Sequence, residues 1–168
     1  MIIMGIDPGT VTTGYGVIEA EDEEATFIDC GALKATERSP IGERLSNIYR
    51  QLVGVIARVK PDVVAIERPF VAKNVRSAIA IGQAQAIAIL AAAGEKIPIS
   101  EYTPAEVKQR VTDYGASGKE QVQMMVKLQL NLAEAPRSAD AADALAVALC
   151  HLRRMHAESL LAKSEGAR

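Results

Sequence analysis

Apolar positions along the chain follow two different periods, and each change of period marks a new element. Residues 2–6 are an apolar run ending at Asp7 and the turn dipeptide Pro8-Gly9. Residues 13–19 and 26–34 carry β-branched and aromatic side chains on either side of the acidic stretch Glu21–Glu24. Three strands joined by tight turns are expected, forming an antiparallel meander. Ile41, Leu45, Ile48, Leu52, Val55, Ile56 and Val59 then recur at helical intervals. Ser39 is expected at the cap of that helix, Pro40 in its first turn and Pro61 at its end. Residues 62–67 return to a continuous apolar run closing on Glu67, the pattern of a buried central strand.

After a loop over 68–73, Asn74 is expected to cap a long helix ending at Gly94. Residues 97–101 form a further short strand. Two helices follow, each opening on a capping box: Thr103 with Glu106, and Ser117 with Glu120. A last helix starts near 136–138 and reaches about His156, leaving 157–168 as a frayed tail to a single domain over 1–156. The order β-β-β-α-β-α-β-α-α-α predicts an α/β fold: a mixed five-stranded sheet flanked by helices.

Composition changes this picture little. Of the 168 residues, 49% are hydrophobic and 24% charged, the balance of an ordinary globular domain. No apolar run is expected to span a bilayer, so a cytoplasmic protein without a membrane partner is expected. Cys30 and Cys150 lack metal-type spacing and are expected as buried free thiols. Charge matters more through its distribution than its sum. Residues 1–33 hold seven acids and no Lys or Arg, so the net −2 divides into −7 there and +5 over 34–168. A local basic surface for a polyanion is therefore compatible with an acidic total.

The candidate chemistry lies in carboxylates. Asp7 and Glu67 each end an apolar strand; if the two strands are parallel neighbours, both side chains emerge at one sheet edge, where α/β proteins place their sites. Asp140 and Asp143 lie three apart and share one helix face. A first-turn acid has an ordinary explanation in the helix dipole. Asp143, set among Ala142, Leu145, Ala146 and Val147, does not: a carboxylate on a buried stripe needs a partner or a metal. The nearest cation in sequence, Arg137, is off that face. Four converging carboxylates repel one another unless cations intervene. Oxygen donors without His or Cys select Mg²⁺, with Mn²⁺ as the other candidate. Two such ions per site suit phosphodiester hydrolysis.

The residues carrying these features also match a known pattern. Gly5-Ile-Asp-Pro-Gly-Thr10, Thr13-Gly-Tyr-Gly16, Ala65-Ile-Glu67, Phe70, Ala72-Lys-Asn74, Gly82-Gln-Ala84, Val107-Lys-Gln109 and Asp140-Ala-Ala-Asp-Ala-Leu-Ala146 follow in order. Together they resemble the RuvC family of bacterial Holliday-junction resolvases over residues 2 to about 150. The resemblance implies an RNase H-like fold and a homodimer that nicks a four-way DNA junction symmetrically. It further implies Asp7, Glu67, Asp140 and Asp143 as metal-binding carboxylates, 5′-phosphate and 3′-hydroxyl products, and coupling to a RuvA–RuvB branch-migration complex. By the same resemblance Lys119 lies near the scissile phosphate and Lys108 near the DNA backbone. Phe70, flanked by Arg68, Lys73 and Arg76, suits stacking on an unpaired base beside phosphate contacts.

The helix after Asn74 is apolar or small on nearly every face, which fits an interface shared between two copies. Three other readings compete. They are an RNase H-like nuclease acting on RNA or hybrids, a non-catalytic junction-binding scaffold, and an actin-like ATPase suggested by Gly5–Thr10, for which the chain is short.

Overall fold

The computed structural model describes residues 1–69, 75–115 and 118–165. Strands β1 (Ile2–Asp7), β2 (Thr12–Glu21) and β3 (Glu24–Lys34) form the expected meander. Helix α1 (Ile41–Val59), β4 (Val63–Glu67), α2 (Val75–Gly94) and β5 (Ile99–Tyr102) follow, then α3 (Pro104–Thr112), α4 (Lys119–Gln129) and α5 (Ala139–Glu165). The sheet order is β3-β2-β1-β4-β5, antiparallel across the meander and parallel from β1 through β4 to β5.

Strand alternation divides the core. Ile3, Val63 and Ala65 face one layer with Val107, Val122 and Leu145, under α3, α4 and α5. Met4, Ile6, Val64 and Ile66 face the other with Leu52, Ile56 and Ala88, under α1 and α2. The central strands are buried on both faces, which explains why their sequences are unbroken apolar runs.

Several boundaries differ from expectation. Helix α1 begins at Ile41 with Pro40 in the cap position and no side-chain cap, so Ser39 does not cap it. Gly118 holds the cap position of α4 in an extended conformation without a side-chain bond. That start leaves Glu120 only two residues from the cap, one short of the spacing a capping box needs. Ser117 itself, and the Asn74 expected to cap α2, lie outside the described residues. The Thr103–Glu106 box forms as expected: the Glu106 amide donates to Thr103 Oγ1 at 3.2 Å, and the Thr103 amide to Glu106 Oε2 at 2.7 Å.

Helix α5 continues past the expected end at His156 to Glu165. Its His156 Nε2 lies 2.8 Å from Glu23 in the β2–β3 turn, a contact that no local pattern reveals. Against expectation, α2 is long and apolar enough by composition to cross a membrane; in this fold it packs on α1 and the β4–β5 edge. Both thiols are free; Cys150 is buried as expected, whereas Cys30 is only partly so.

Candidate active site

The site is built by the sheet's carboxyl edge. Parallel pairing in the register Ile6↔Ile66 brings Asp7 and Glu67 out side by side, on the α5 face. Three glycines let α5 descend onto that face. A Cβ at Gly5 would fall on the carbonyl oxygen of Ala144, and one at Gly14 on that of Asp140. At Gly16 it would lie 2.6 Å from Leu145 Cγ. Gly14 is the cross-strand partner of Asp7, so the backbone of Asp140 rests next to that carboxylate. Ser138 Oγ lies 3.3 Å from Asp140 Oδ2, at the helix start.

The remaining wall comes from α3 and α4. A cavity of about 250 Å³ is lined by Glu67, Lys108, Lys119 and Asp143, with Val107 and Val122 behind them. Lys119 Nζ lies 2.6 Å from Asp143 Oδ2. Asp143 is therefore neither fully buried nor unpartnered; its cation comes from the first turn of α4. A lysine opposing a helix dipole was the one sequence signal of this pair. The glycine platform has a signal of its own that matching Gly5, Gly14 and Gly16 to a family pattern does not use: three glycines on two paired strands are a sign of close backbone approach.

The electrostatics follow from that convergence. Burial, then Asp143 and Asp140, raise the Asp7 carboxyl to about 7 against a small opposing pull from Lys119. Burial, then Asp7 and Asp143, raise Glu67 to about 8, with Lys108 and Lys119 opposing. The bond to Asp143 in turn holds Lys119 above its ordinary value. The protein alone thus leaves this edge short of positive charge. Among the described residues, no three His, Cys, Asp or Glu side chains close up tightly enough to hold an ion as they stand. Mutual repulsion and the Lys119 contact account for that openness. The donors are all oxygen, and burial and mutual repulsion leave this edge in need of positive charge, so the set fits a hard divalent ion.

Other expected residues are placed less fully. Lys108 lines the cavity, facing Glu67. Arg76 is exposed in the first turn of α2. Phe70 and Lys73 lie outside the described residues. The acidic turn Glu21–Glu24 lies at the far end of the β2–β3 ladder from the Thr12↔Lys34 pair beside the site, roughly 30 Å away at the usual strand rise. Its charge is therefore screened from the catalytic edge.

Fold and site together place the chain among the RNase H-like nucleases. Residues 3–151 match the family described as Crossover junction endodeoxyribonuclease RuvC. A protein of that name from Dehalococcoides mccartyi is 55% identical over 90% of this chain and 92% of its own. One from Chloroflexus aurantiacus is 48% identical over 90% and 92%. A Thermus thermophilus RuvC solved in complex with Holliday junction substrate superposes with a TM-score of 0.88 at 33% identity, covering 94% of this chain and 96% of that one. The fold, but not the sequence, extends to a yeast mitochondrial Holliday junction resolvase, with TM-score 0.61 at 16% identity over 90% of this chain and 78% of that one. The chain belongs to the RuvC family of crossover junction endodeoxyribonucleases.

Proposed function

We propose that this endonuclease resolves four-way DNA junctions by paired, symmetric nicks, with Asp7, Glu67, Asp140 and Asp143 holding divalent cations at each scissile phosphate. The observation carrying this reading is the convergence of the four carboxylates at one sheet edge, fixed by the seating of α5 on Gly5, Gly14 and Gly16. Mg²⁺ or Mn²⁺, two per site, would supply Lewis-acid polarisation of the phosphate and a hydrolytic nucleophile at neutral pH.

The chain's own groups do the positioning. Asp7 and Glu67 would hold the cations as carboxylates, and their rigid strand ends would fix where the phosphate sits. Asp143 would hold a cation in place of Lys119, and the Lys119 ammonium, 2.6 Å from that carboxylate in this structure, is within the same cavity to face the charge that develops on the phosphate oxygens. Lys108, on the same wall, holds the adjacent backbone. Cleavage in this arrangement leaves a 5′-phosphate and a 3′-hydroxyl.

The exposed stripe of α2 supports a homodimer. Val75, Ile79 and Leu90 are 67%, 59% and 56% exposed at helical spacing, and a second copy would bury them isologously. Two sites then face the two equivalent strands of a junction. Phe70, Lys73 and Arg76, between β4 and the start of α2, are assigned to DNA contact near the crossover. Membership of the RuvC family supports a cytoplasmic setting and coupling to a RuvA–RuvB branch-migration complex.

The deciding experiment compares nicking of a mobile four-way junction, a linear duplex and an RNA–DNA hybrid, with Mg²⁺ and with Mn²⁺. Junction-selective paired nicks, lost in Asp7→Asn while junction binding persists, are expected. Preferential cleavage of the hybrid, or full activity of Asp7→Asn, overturns the assignment.

A further inference from the structure

A second depression adjoins the catalytic edge on the side away from α3 and α4. It measures about 450 Å³ and is lined by Thr36, Ser39, Arg44, Ser46 and Arg50, together with the carboxylate of Glu43. It lies between the end of β3 and the first three turns of α1. Because β3 runs parallel to β1 across the meander, its carboxyl end reaches the same sheet edge as Asp7. The link is direct: the Ala35 amide donates to the carbonyl of Val11 at 2.8 Å, in the loop that follows Asp7.

The chemistry of this depression is unfinished. The Nε of Arg44 is buried with no hydrogen-bond partner. A guanidinium hydrogen bond left unmade costs free energy, and the Arg44 head group lines the depression, where its charge faces any acceptor bound there. Neither Arg44 nor Arg50 joins any of the ion pairs among the described residues. Three hydroxyls, from Thr36, Ser39 and Ser46, line the same space. Arginine forks with hydroxyl donors suit a tetrahedral phosphodiester, and they can grip it without reading sequence.

We propose that this depression is a phosphate-binding subsite for a junction arm, engaging a backbone phosphodiester away from the one being cut. The proposal rests on the reading of the chain as a junction nuclease, and it adds a second anchor. One phosphate lies at the carboxylates, another at Arg44 and Arg50, and the duplex between them is held in a fixed rotation about its axis. That fixes which phosphate reaches Asp7, with no contact to a base edge.

The test measures binding to a synthetic immobile junction as a function of salt, using the full chain, Arg50→Ala, Arg44→Ala and Arg44→Lys. Arg50 is exposed, so its removal leaves the fold intact; Arg44→Lys covers the case in which truncation at the partly buried site disturbs α1. Arg50→Ala is expected to weaken binding several-fold at moderate salt. It should also reduce the slope of log affinity against log salt by roughly 0.9, the loss of one phosphate contact. At saturating junction the nicks made by Arg50→Ala should spread to neighbouring phosphates, because the arm is no longer held in one rotation.

Replacing single phosphates of one arm by neutral methylphosphonates should find a position that weakens wild type but leaves Arg50→Ala indifferent. Unchanged affinity and slope in Arg50→Ala and both Arg44 variants, with wild type binding and nicking normally, overturns the subsite alone. Failure of wild type to bind the junction overturns the functional reading beneath it.

Discussion

Asp7 occupies a place where a negative charge is hard to keep. Burial and two neighbouring aspartates raise its carboxyl to about 7, against an ordinary 3.8. Below pH 3.8 the folded and unfolded chains both hold the proton; between there and about 7 only the folded chain does. Stability therefore falls as pH rises through that window, and the loss is complete above about 7. Asp7→Asn removes this dependence. In the metal-free protein it should raise the melting temperature, and by more at pH 8 than at pH 5, while eliminating nicking. Thermal unfolding in a chelator at both pH values checks this, and an equal shift at the two would show that Asp7 carries no such burden. Lys119 has the complementary role. As the ion-pair partner of Asp143 it competes with any cation for that oxygen. Lys119→Ala should lower the Mg²⁺ concentration giving half-maximal nicking, yet reduce the maximal rate on the order of 100-fold through loss of a charge at the phosphate. A metal titration of the nicking rate separates the two effects.

Helix α5 joins these residues into one device. It begins over Gly14 beside Asp7, crosses the sheet over Gly5 and Gly16, and meets the acidic turn through His156 and Glu23 before running on to Glu165. Midway, the Tyr102 hydroxyl and His151 Nδ1 share a buried hydrogen bond of 2.7 Å that fastens α5 to β5. Gly14→Ala would force a methyl into the Asp140 carbonyl. It should cost about 1–3 kcal/mol and, at temperatures where the variant is still folded, lower nicking by moving Asp140 and Asp143 away from Asp7. Denaturant unfolding and nicking at 20 °C give both readings; full activity would show that the glycine contact does not set the site. This device also marks what the sequence could reveal. Apolar runs ending in Asp7 and Glu67 disclose the strands, because burial on both faces leaves no polar positions within them; the shared edge holds only if the two strands are parallel neighbours, a condition the structure meets. The Thr103–Glu106 box was equally visible, since capping is local. The Lys119–Asp143 pair, the glycine platform and the extension of α5 to Glu165 depend on which elements meet in space. One-dimensional periodicity carries none of that information.

At the scale of the molecule, charge and apolar surface are sorted to different places. The acidic turn lies at one end of the sheet and the carboxylate site, with Lys108, Lys119, Arg44 and Arg50, at the other. The net negative charge is thus no obstacle to DNA at the working edge, since the opposing charges are separated by more than a screening length at physiological salt. Among the exposed apolar side chains are Met124 and Leu128 on α4, Leu160 and Leu161 on α5, and, along one stripe of α2, Val75, Ile79 and Leu90. A glutamate at either of the last two would bring its charge against an apolar partner surface, so Ile79→Glu and Leu90→Glu should convert a dimer into a monomer in sedimentation velocity. The consequence for function is specific. A junction extruded as a cruciform from a supercoiled plasmid loses its driving tension at the first nick and is reabsorbed before an independent second event can occur. A dimer that commits two sites at once linearises the plasmid, whereas the monomeric variants should accumulate nicked circles. If Leu90→Glu remains dimeric, or is monomeric yet still linearises the plasmid, α2 is not the element that pairs the two cuts.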